Sequence, residues 1–404
     1  MNRKLLLWIL GVILVCVVGL FLKKIYKKSQ LQQNVSVEML PKSVKIRFFS
    51  MDLHIAVIED LRNLFDELGG YEVHNWNLSG HGWVLGKKQD NVEIVNSKTW
   101  HNLDQEMVDK FYDKYKDYLN QFDAFIVTHN ASFALLYEKF NKPIIIVNST
   151  RYENPFTNDP IKWKWLDDYL KKGVAEGRIF IVSNNKGDQN YLEYFTGLKS
   201  EHIPSMCLYT QAKYRGIKDG FILNAHNKQE VLANISPTNA SLIQNEKLEK
   251  KYKWQDLYDF KGIVHFPYQI STMSIFEQYS ANVPLFFPTK EFLLNLHGMY
   301  PKHILSELSF YQVSNLPSSD MLGNPNNTND SKVLQEWAAA ADFYDVKNMP
   351  YIQYFDSFKH LENLLKSVNL QEISSNMEQY NIKRKADAVE RWKRLLQDVE
   401  KKIR

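Results

Sequence analysis

The sequence predicts an α/β protein with two doubly wound domains, each built on a parallel sheet, behind an N-terminal transmembrane helix. Buried apolar runs of strand length alternate with amphipathic helical segments along most of the chain, which is the pattern of parallel sheets covered by helices. Because 404 residues exceed the usual size of one hydrophobic core, we expect two domains rather than one. Residues 5–22 form an unbroken apolar run, close to the shortest length that crosses a bilayer.

These observations divide the chain into six parts. We predict a cytosolic tip and membrane anchor over residues 1–22, a polar stem over 23–43, a first α/β domain over 44–203, a linker over 204–216, a second α/β domain over 217–370, and a C-terminal helix over 371–404 that packs back across the cleft between the domains. The last helix is expected to bury one stripe, formed by Ile382, Ala386, Val389, Trp392, Leu396 and Val399.

The apolar run near the N-terminus is predicted to be an uncleaved anchor. A secretory signal peptide is the competing interpretation, but it would have a shorter apolar core followed by small residues at a cleavage site. Here the run is followed instead by Lys23, Lys24, Lys27 and Lys28. The chain is therefore expected to be a single-pass membrane protein.

Two signals disagree on the orientation of this anchor. The four lysines after the run outnumber Arg3 and Lys4 before it, which favours a cytosolic folded region. A surplus of Asn-x-Ser/Thr sequons favours a lumenal one, and these begin at Asn34, Asn77, Asn130, Asn148, Asn234, Asn239, Asn326 and Asn329. We expect a type II glycoprotein with its folded region in the Golgi or ER lumen, and the cytosolic orientation is the alternative.

Charge and cysteine content exclude some classes of function. The formal net charge of +4 comes largely from the two ends of the chain, so the sequence has no nucleic-acid footprint and no nucleic-acid partner is expected. Cys16 lies in the apolar run and Cys207 stands alone, so the folded region cannot form an intrachain disulfide.

In the first domain, strand and helix patterns alternate throughout. The strands are predicted at Val44–Ser50, Tyr71–Trp76, Ala124–Thr128, Pro143–Asn148 and Arg178–Ser183. The helices are predicted at Ile55–Leu68, Asp104–Phe122, Ser132–Phe140, Pro160–Glu176 and Lys186–Phe195. Such an alternation gives one parallel sheet, and its ligand is expected beyond the carboxyl ends of the strands.

The second domain begins with a predicted strand at Phe221–Ala225, and its most informative part is Lys261–Glu291. There a strand at Gly262–Pro267 leads to cap residues at 271–272, a helix, and a second strand at Val283–Phe287. A helix start beyond the carboxyl end of a strand offers free N–H groups and partial positive charge to a phosphate. A nucleotide is therefore the expected ligand.

At this point the residues resemble a GT-B glycosyltransferase, a superfamily with two Rossmann-like domains. The linker IPSMCLYT at Ile203–Thr210 is similar to the Ile-Pro linker that ends the acceptor domain in many members. The stretch ISTMSIFEQYSANVPLFFP resembles the family pattern of a Ser/Thr-capped helix that carries a Glu before a Pro-led strand. Here Glu277 lies seven residues before Pro284. Retaining members often have a second Glu eight residues earlier, where this chain has Gln269, so the stereochemical outcome stays open.

The resemblance implies a nucleotide-sugar donor bound by the second domain. Glu277 would accept both ribose hydroxyls; otherwise it is an exposed helical Glu. Ser271, Thr272 and Ser274 can donate hydroxyl and backbone N–H groups to the donor diphosphate, although Ser271 or Thr272 can equally be a simple helix cap.

The diphosphate charge must be neutralised without a metal. The sequence has no Asp-x-Asp pair and no His/Cys/carboxylate cluster with ligand spacing, so we expect no metal and no cofactor, the nucleotide-sugar being a co-substrate. Lys228, after the strand at 221–225, and Arg215 in the linker are the candidate cations. Each is also compatible with a solvated surface charge.

The turn after the first strand carries the candidate general base. Asp52 or His54 can act on an acceptor hydroxyl, because imidazole titrates near neutrality and a carboxylate can orient it. The alternative for Asp52 is a helix cap. His81, in the loop LSGHGWVLG after the second strand, is a third candidate base.

Further polar and aromatic residues follow the strands of the first domain and form a candidate acceptor site. Trp83 suits stacking against a sugar, and its glycine-rich loop allows close approach of a ligand. His129 and Arg151 complete a rim of polar groups at the strand ends.

The sequence therefore predicts a membrane-anchored, metal-independent glycosyltransferase that moves a sugar from a nucleotide-sugar donor to an acceptor hydroxyl. The expected partners are the donor, a glycan, protein or lipid acceptor, and the membrane. Two alternatives stay open. One is a catalytically inactive binding or scaffold protein of the same fold, and the other is a sugar-nucleotide epimerase.

Overall fold

Two parallel sheets organise the protein, each with the chain order of a doubly wound fold. The computed structural model describes residues 46–225, 242–244, 248, 253–306 and 330–404. The predicted anchor and stem lie outside these residues. Within the described part of the chain, no helix is long and apolar enough to cross a membrane.

The N-terminal lobe is built on a parallel sheet in the order β2-β1-β3-β4-β5-β6. Its strands are β1 (Ile46–Asp52), β2 (Tyr71–Asn77), β3 (Ala124–His129), β4 (Ile144–Asn148), β5 (Ile179–Ser183) and β6 (Glu201–His202). The central strands are continuous apolar runs because both of their faces are covered. The chain leaves β1 for β2 on one side and returns to β3 on the other. A topological switch point therefore lies between β1 and β3.

Helices cover both faces of this sheet, and most of them begin at polar caps. They are α1 (Ile55–Leu68), α2 (Gln105–Leu119), α3 (Pro160–Ala175) and α4 (Lys186–Thr196). Asp104, Asp159 and Asn185 accept hydrogen bonds from the first-turn backbone N–H groups of α2, α3 and α4. The helix predicted at Ser132–Phe140 is a 3₁₀ helix at Ala131–Phe140. Nearly all of its side chains are buried, so packing rather than helix propensity sets its geometry.

The C-terminal lobe has a second parallel sheet in the order β11-β10-β9-β7-β8. Its strands are β7 (Phe221–Ala225), β8 (Leu242–Gln244), β9 (Ile263–Phe266), β10 (Leu285–Pro288) and β11 (Gln353–Phe355). Its helices are α5 (Trp254–Tyr258), α6 (Met273–Ser280), α7 (Lys290–Met299), α8 (Ser331–Ala339) and α9 (Phe358–Ser367). The switch point of this sheet lies between β7 and β9.

The last helix, α10 (Leu370–Ile403), contacts both lobes. Trp392 packs against Phe65 of α1 with ring centroids 5.7 Å apart. Arg384 donates to the backbone oxygen of Ser205 at 2.8 Å and to the hydroxyl of Ser280 on α6 at 3.2 Å.

The predicted buried stripe of this helix is wrong in its first half. Ile382 is 68% exposed and Ala386 is exposed, whereas Met377, Arg384 and Ala388 are buried. The stripe differs because the first half of α10 faces the C-terminal lobe and the second half faces α1, so the buried side rotates along the helix. The two parallel sheets confirm the predicted pair of doubly wound α/β domains, whereas the predicted N-terminal transmembrane helix lies outside the described residues.

Candidate functional site

Two adjoining cavities lie next to the switch points of the two sheets. The first, here called the interlobe cavity, has a volume of about 410 Å³ and lies between the strand ends of the N-terminal lobe and residues 268–273 of the C-terminal lobe. The second, here called the C-lobe cavity, has a volume of about 650 Å³ and borders β7, α5 and α6. Tyr268 lines both cavities, so they meet at this side chain.

The interlobe cavity contains two histidines from neighbouring strands. His54 follows β1 and His129 ends β3, so the two residues flank the switch point. Their ring centroids lie 5.3 Å apart. His129 has a φ of 63°, a left-handed conformation that non-glycine residues seldom adopt and that clusters at functional sites. The structure thus brings together a predicted base and a predicted rim residue.

Burial keeps both imidazoles neutral at pH 7. It lowers the pKa of His129 to about 3, with a smaller contribution from His54. Burial also lowers the pKa of His54; a backbone hydrogen bond opposes this effect and His81 adds to it. A neutral imidazole can accept a proton, but a group with a pKa near 3 is a weak base. His54 is therefore the better candidate for a general base.

Asp52 does not line the cavity, contrary to its prediction as a candidate base. Its side chain is fully buried, and Oδ1 accepts the backbone N–H of His54 at 2.6 Å. Burial raises its pKa to about 7, the hydrogen bond from His54 opposes this, and the charge of Glu59 adds to it. The cap residue of α1 is His54, so Asp52 is not the helix cap either. Asp52 instead holds the turn that carries His54.

The start of α6 lies between the two cavities. Ser271 and Thr272 line the interlobe cavity, and Ser274 lines the C-lobe cavity. Thr272 is the N-cap residue, but its side chain makes no capping hydrogen bond to the helix. Its Oγ1 lies 3.0 Å from Oγ of Ser274. The hydroxyls and first-turn N–H groups at this position can therefore bind an anion that spans the two cavities.

Glu277 lines the C-lobe cavity one turn into α6 and is not an exposed helical Glu. Its Oε1 accepts the hydroxyl of Tyr209 at 2.5 Å, and its Oε2 accepts the indole N–H of Trp254 at 2.9 Å. Burial raises its pKa, and the two hydrogen bonds oppose this. Each carboxylate oxygen has a second lone pair, so the group can still accept two hydroxyls of a ligand.

Trp83 was predicted to contact the acceptor, but it lines the C-lobe cavity rather than the interlobe cavity. It belongs to a 3₁₀ turn, Gly82–Leu85, that reaches from the N-terminal lobe to the C-terminal lobe. His81, in the same loop, is exposed and lines neither cavity. This position does not suit the role of general base that the sequence suggested.

Arg151 lines the interlobe cavity, as its prediction as a rim residue requires. Only 3% of it is exposed, and its Nη1 donates to Oδ1 of Asp188 at 3.2 Å. Its guanidinium carbon lies 3.5 Å from the ring centroid of Trp337 and 4.2 Å from that of Tyr191. Because Trp337 is on α8, the side chain joins the two lobes.

Of the two cations proposed for the diphosphate, only Arg215 lies among the residues that the structure describes. Arg215 makes a two-point ion pair with Asp259, with Nε and Nη2 at 2.6 and 2.7 Å from the carboxylate oxygens. It lines neither cavity, and its role in donor binding stays a prediction. Lys228 lies outside the described residues.

Sequence reasoning missed a buried hydrogen-bonded chain beside the C-lobe cavity. His265 is 2% exposed, its Nε2 lies 2.7 Å from Oε1 of Gln278, and its Nδ1 lies 3.3 Å from the amide nitrogen of Asn224. Burial lowers its pKa to about 4, opposed by the bond to Gln278, so the ring is neutral. Asn224 and Gln278 both line the cavity. Asn224 and His265, as polar residues next to the ends of apolar strands, were the members with a sequence signal.

Over the ranges that the structure describes, no three His, Cys, Asp or Glu side chains are grouped to hold a metal ion. No family model and no curated protein matches this chain.

Several solved structures are similar to this chain at low sequence identity and with TM-scores below 0.5. The glycotransferase of kitacinnamycin has 10% identity and a TM-score of 0.42, over 86% of this chain and 98% of that one. SnogD, a glycosyltransferase from Streptomyces nogalater, has 11% identity and a TM-score of 0.42, over 87% and 100%. A Listeria monocytogenes protein described as a UDP-N-acetylglucosamine 2-epimerase has 12% identity and a TM-score of 0.33, over 60% and 79%.

Proposed function

We propose that the protein is a glycosyltransferase that moves a sugar from a nucleotide-sugar donor to an acceptor hydroxyl. One observation carries the proposal. Thr272, the N-cap residue of α6, makes no capping hydrogen bond to the helix. The start of α6 lies between a cavity with a hydrogen-bonded carboxylate, Glu277, and a cavity with a neutral histidine, His54. A nucleoside, a diphosphate and a sugar are joined in the same linear order.

The nucleoside would occupy the C-lobe cavity and the diphosphate the start of α6. Glu277 would accept the two ribose hydroxyls through its remaining lone pairs. The hydroxyls of Ser271, Thr272 and Ser274, together with the backbone N–H groups of the first turn, would bind the phosphate oxygens. The positive end of the helix dipole would offset part of the phosphate charge, so the proposed reaction is independent of a metal.

The sugar and the acceptor hydroxyl would meet in the interlobe cavity beside His54. The acceptor oxygen attacks the anomeric carbon as the bond from that carbon to the diphosphate oxygen breaks. The imidazole of His54 takes the proton of the acceptor hydroxyl, and the electron pair of the broken bond leaves with the diphosphate. Asp52 keeps the His54 turn in place through its bond to the backbone N–H at 2.6 Å. This single displacement would invert the configuration at the anomeric carbon.

A panel of nucleotide-sugars tests the proposal. UDP-, GDP-, CDP- and dTDP-sugars are compared for thermal stabilisation of the full-length protein, because a ligand at a hundredfold excess over its dissociation constant adds about 2.7 kcal/mol. The stabilising donor is then incubated with sugar, peptide and lipid acceptors, and the products are identified by mass spectrometry. Transfer supports the proposal. Binding without turnover favours the scaffold alternative, and interconversion of the free donor favours the epimerase.

We further propose that residues 1–22 anchor the protein as a type II membrane protein with a lumenal catalytic region. The apolar run and the surplus of sequons support this. Asn77, Asn130 and Asn148 are buried, so the remaining five sequons, all outside the described residues, must carry any glycan. Glycosidase digestion after expression in a eukaryotic cell tests the orientation. No mass shift, together with protease sensitivity in sealed microsomes, would place the catalytic region on the cytosolic face.

A further inference from the structure

Two apolar side chains of the N-terminal lobe are exposed next to a cavity of the other lobe. Trp83 is 51% exposed and Val84 is 44% exposed. Both line the C-lobe cavity, to which most other residues are contributed by the C-terminal lobe. Adjacent exposed apolar residues at a cavity are typical of a binding surface rather than of ordinary protein surface.

Hydrogen bonds and close packing hold the turn that carries these two side chains. The side chain of Asn77 donates to the backbone oxygen of Lys88 at 2.9 Å and accepts the backbone N–H of Ser79 at 3.0 Å. Gly82 packs directly over this amide, since a Cβ at that position would overlap Asn77 and lie 2.9 Å from the backbone oxygen of Lys87. The turn therefore has a fixed conformation, and this conformation exposes Trp83 and Val84.

The opposite side of the cavity is also aromatic and apolar. It includes Trp254, Leu257 and Ile222, and the indole N–H of Trp254 is held by Glu277 at 2.9 Å. A cavity with indoles from two lobes and a carboxylate acceptor suits a flat heterocycle attached to a ribose, because indole faces stack on heterocycles and the carboxylate accepts hydroxyls.

We propose that Trp83 and Val84 form the N-lobe wall of the nucleobase site, so that both lobes bind the donor. The proposal rests on the proposed function, because it takes a nucleotide as the ligand. It assigns Trp83 to donor binding and removes it from the acceptor site. A donor bound in this way joins the N-terminal lobe to the C-terminal lobe, and it holds His54 opposite the start of α6.

Binding of nucleoside diphosphates to variants of the full-length protein tests the assignment. UDP, GDP, CDP and dTDP are titrated by calorimetry, and the tightest binder is used for all variants. Trp83→Ala should weaken binding by about 5- to 150-fold, the range of base–indole stacking, and Trp83→Phe should retain most of the affinity. Trp165→Ala, at a partly buried indole that lines neither cavity, is the matched control and should bind as wild type.

Two further measurements separate this proposal from the proposed function. The KM for the acceptor should not change in Trp83→Ala, and Val84→Ser, a second variant at the same wall, should also weaken the nucleotide. If wild type binds a nucleotide and both wall variants bind it equally well, the assignment of Trp83 is overturned while the proposed function stands. If wild type binds none of the four nucleotides, both proposals fail.

Discussion

The turn between β1 and α1 contains a buried carboxyl group, Asp52, whose pKa is raised, and replacing Asp52 by Asn tests this directly. Asp52 is fully buried and its pKa is raised to about 7. Asparagine has nearly the same shape, cannot ionise, and can still accept the backbone N–H of His54 through its own Oδ1. The variant should therefore keep the turn and lose only the titration.

The size of the effect follows from the two pKa values. The folded state holds the proton up to about pH 7, whereas the ordinary pKa of the group is 3.8. Between these values the folded state binds more protons than the unfolded state, so the stability of wild type falls as the pH rises through this window. At 1.36 kcal/mol per pKa unit the full effect is about 4 kcal/mol. The stability of Asp52→Asn relative to wild type should rise by about this amount from pH 4 to pH 8.

Urea unfolding of both proteins at several pH values between 4 and 8 measures the difference. The raised pKa values of Asp60, about 6, and Glu153, about 7, act in both proteins and cancel in the comparison. Asp66→Asn, at an exposed position on the same helix, is the control and should show no such trend. A constant difference between Asp52→Asn and wild type across the range would refute the protonated buried carboxyl.

Three other predictions concern the site. His54→Ala should lower kcat by about 10² to 10⁴ with little change in donor affinity, and wild-type turnover in this variant would exclude His54 as the base. The acid limb of the wild-type kcat/KM profile should lie below pH 6.5, because burial lowers the pKa of His54. Glu277→Ala should weaken nucleotide binding by about 1 to 3 kcal/mol in calorimetry, the cost of unpairing charged hydrogen bonds, and an unchanged affinity in a folded variant would remove the ribose assignment. Gly82→Ala should lower stability by about 1 to 3 kcal/mol in urea unfolding and weaken the nucleotide, because the new Cβ lies 2.9 Å from the backbone oxygen of Lys87. Gly80→Ala has open space around the new Cβ and should behave as wild type in both assays.

The fold was largely predictable because parallel strands buried on both faces leave a clear sequence signal. The runs at β3, β4 and β7 were placed within a residue or two, and α1 was placed at its observed ends. The stripe of α10 was not predictable, because a helix that faces two different lobes does not keep one buried side. Periodicity reports a single face and carries no information about which lobe it meets.

The site was predictable where strand ends carry polar residues, and less so where loops cross between lobes. His54, His129 and Arg151 follow neighbouring strands, and the structure places all three in one cavity. The position of Trp83 in the other cavity was not predictable, because its loop leaves the N-terminal lobe and no local pattern shows which cavity it reaches. Arg215 had a carboxylate partner, Asp259, 44 residues away that no local pattern reveals.

The most direct test of the central claim is an experimental structure of the full-length protein with its tightest-binding nucleoside diphosphate. The account predicts phosphate oxygens within hydrogen-bond distance of the first-turn N–H groups of α6 and the hydroxyl of Thr272, ribose hydroxyls on Glu277, and the base between Trp83 and Trp254. The β-phosphate should point toward the cavity that contains His54. A nucleotide bound away from the start of α6, or with its ribose remote from Glu277, would contradict the account.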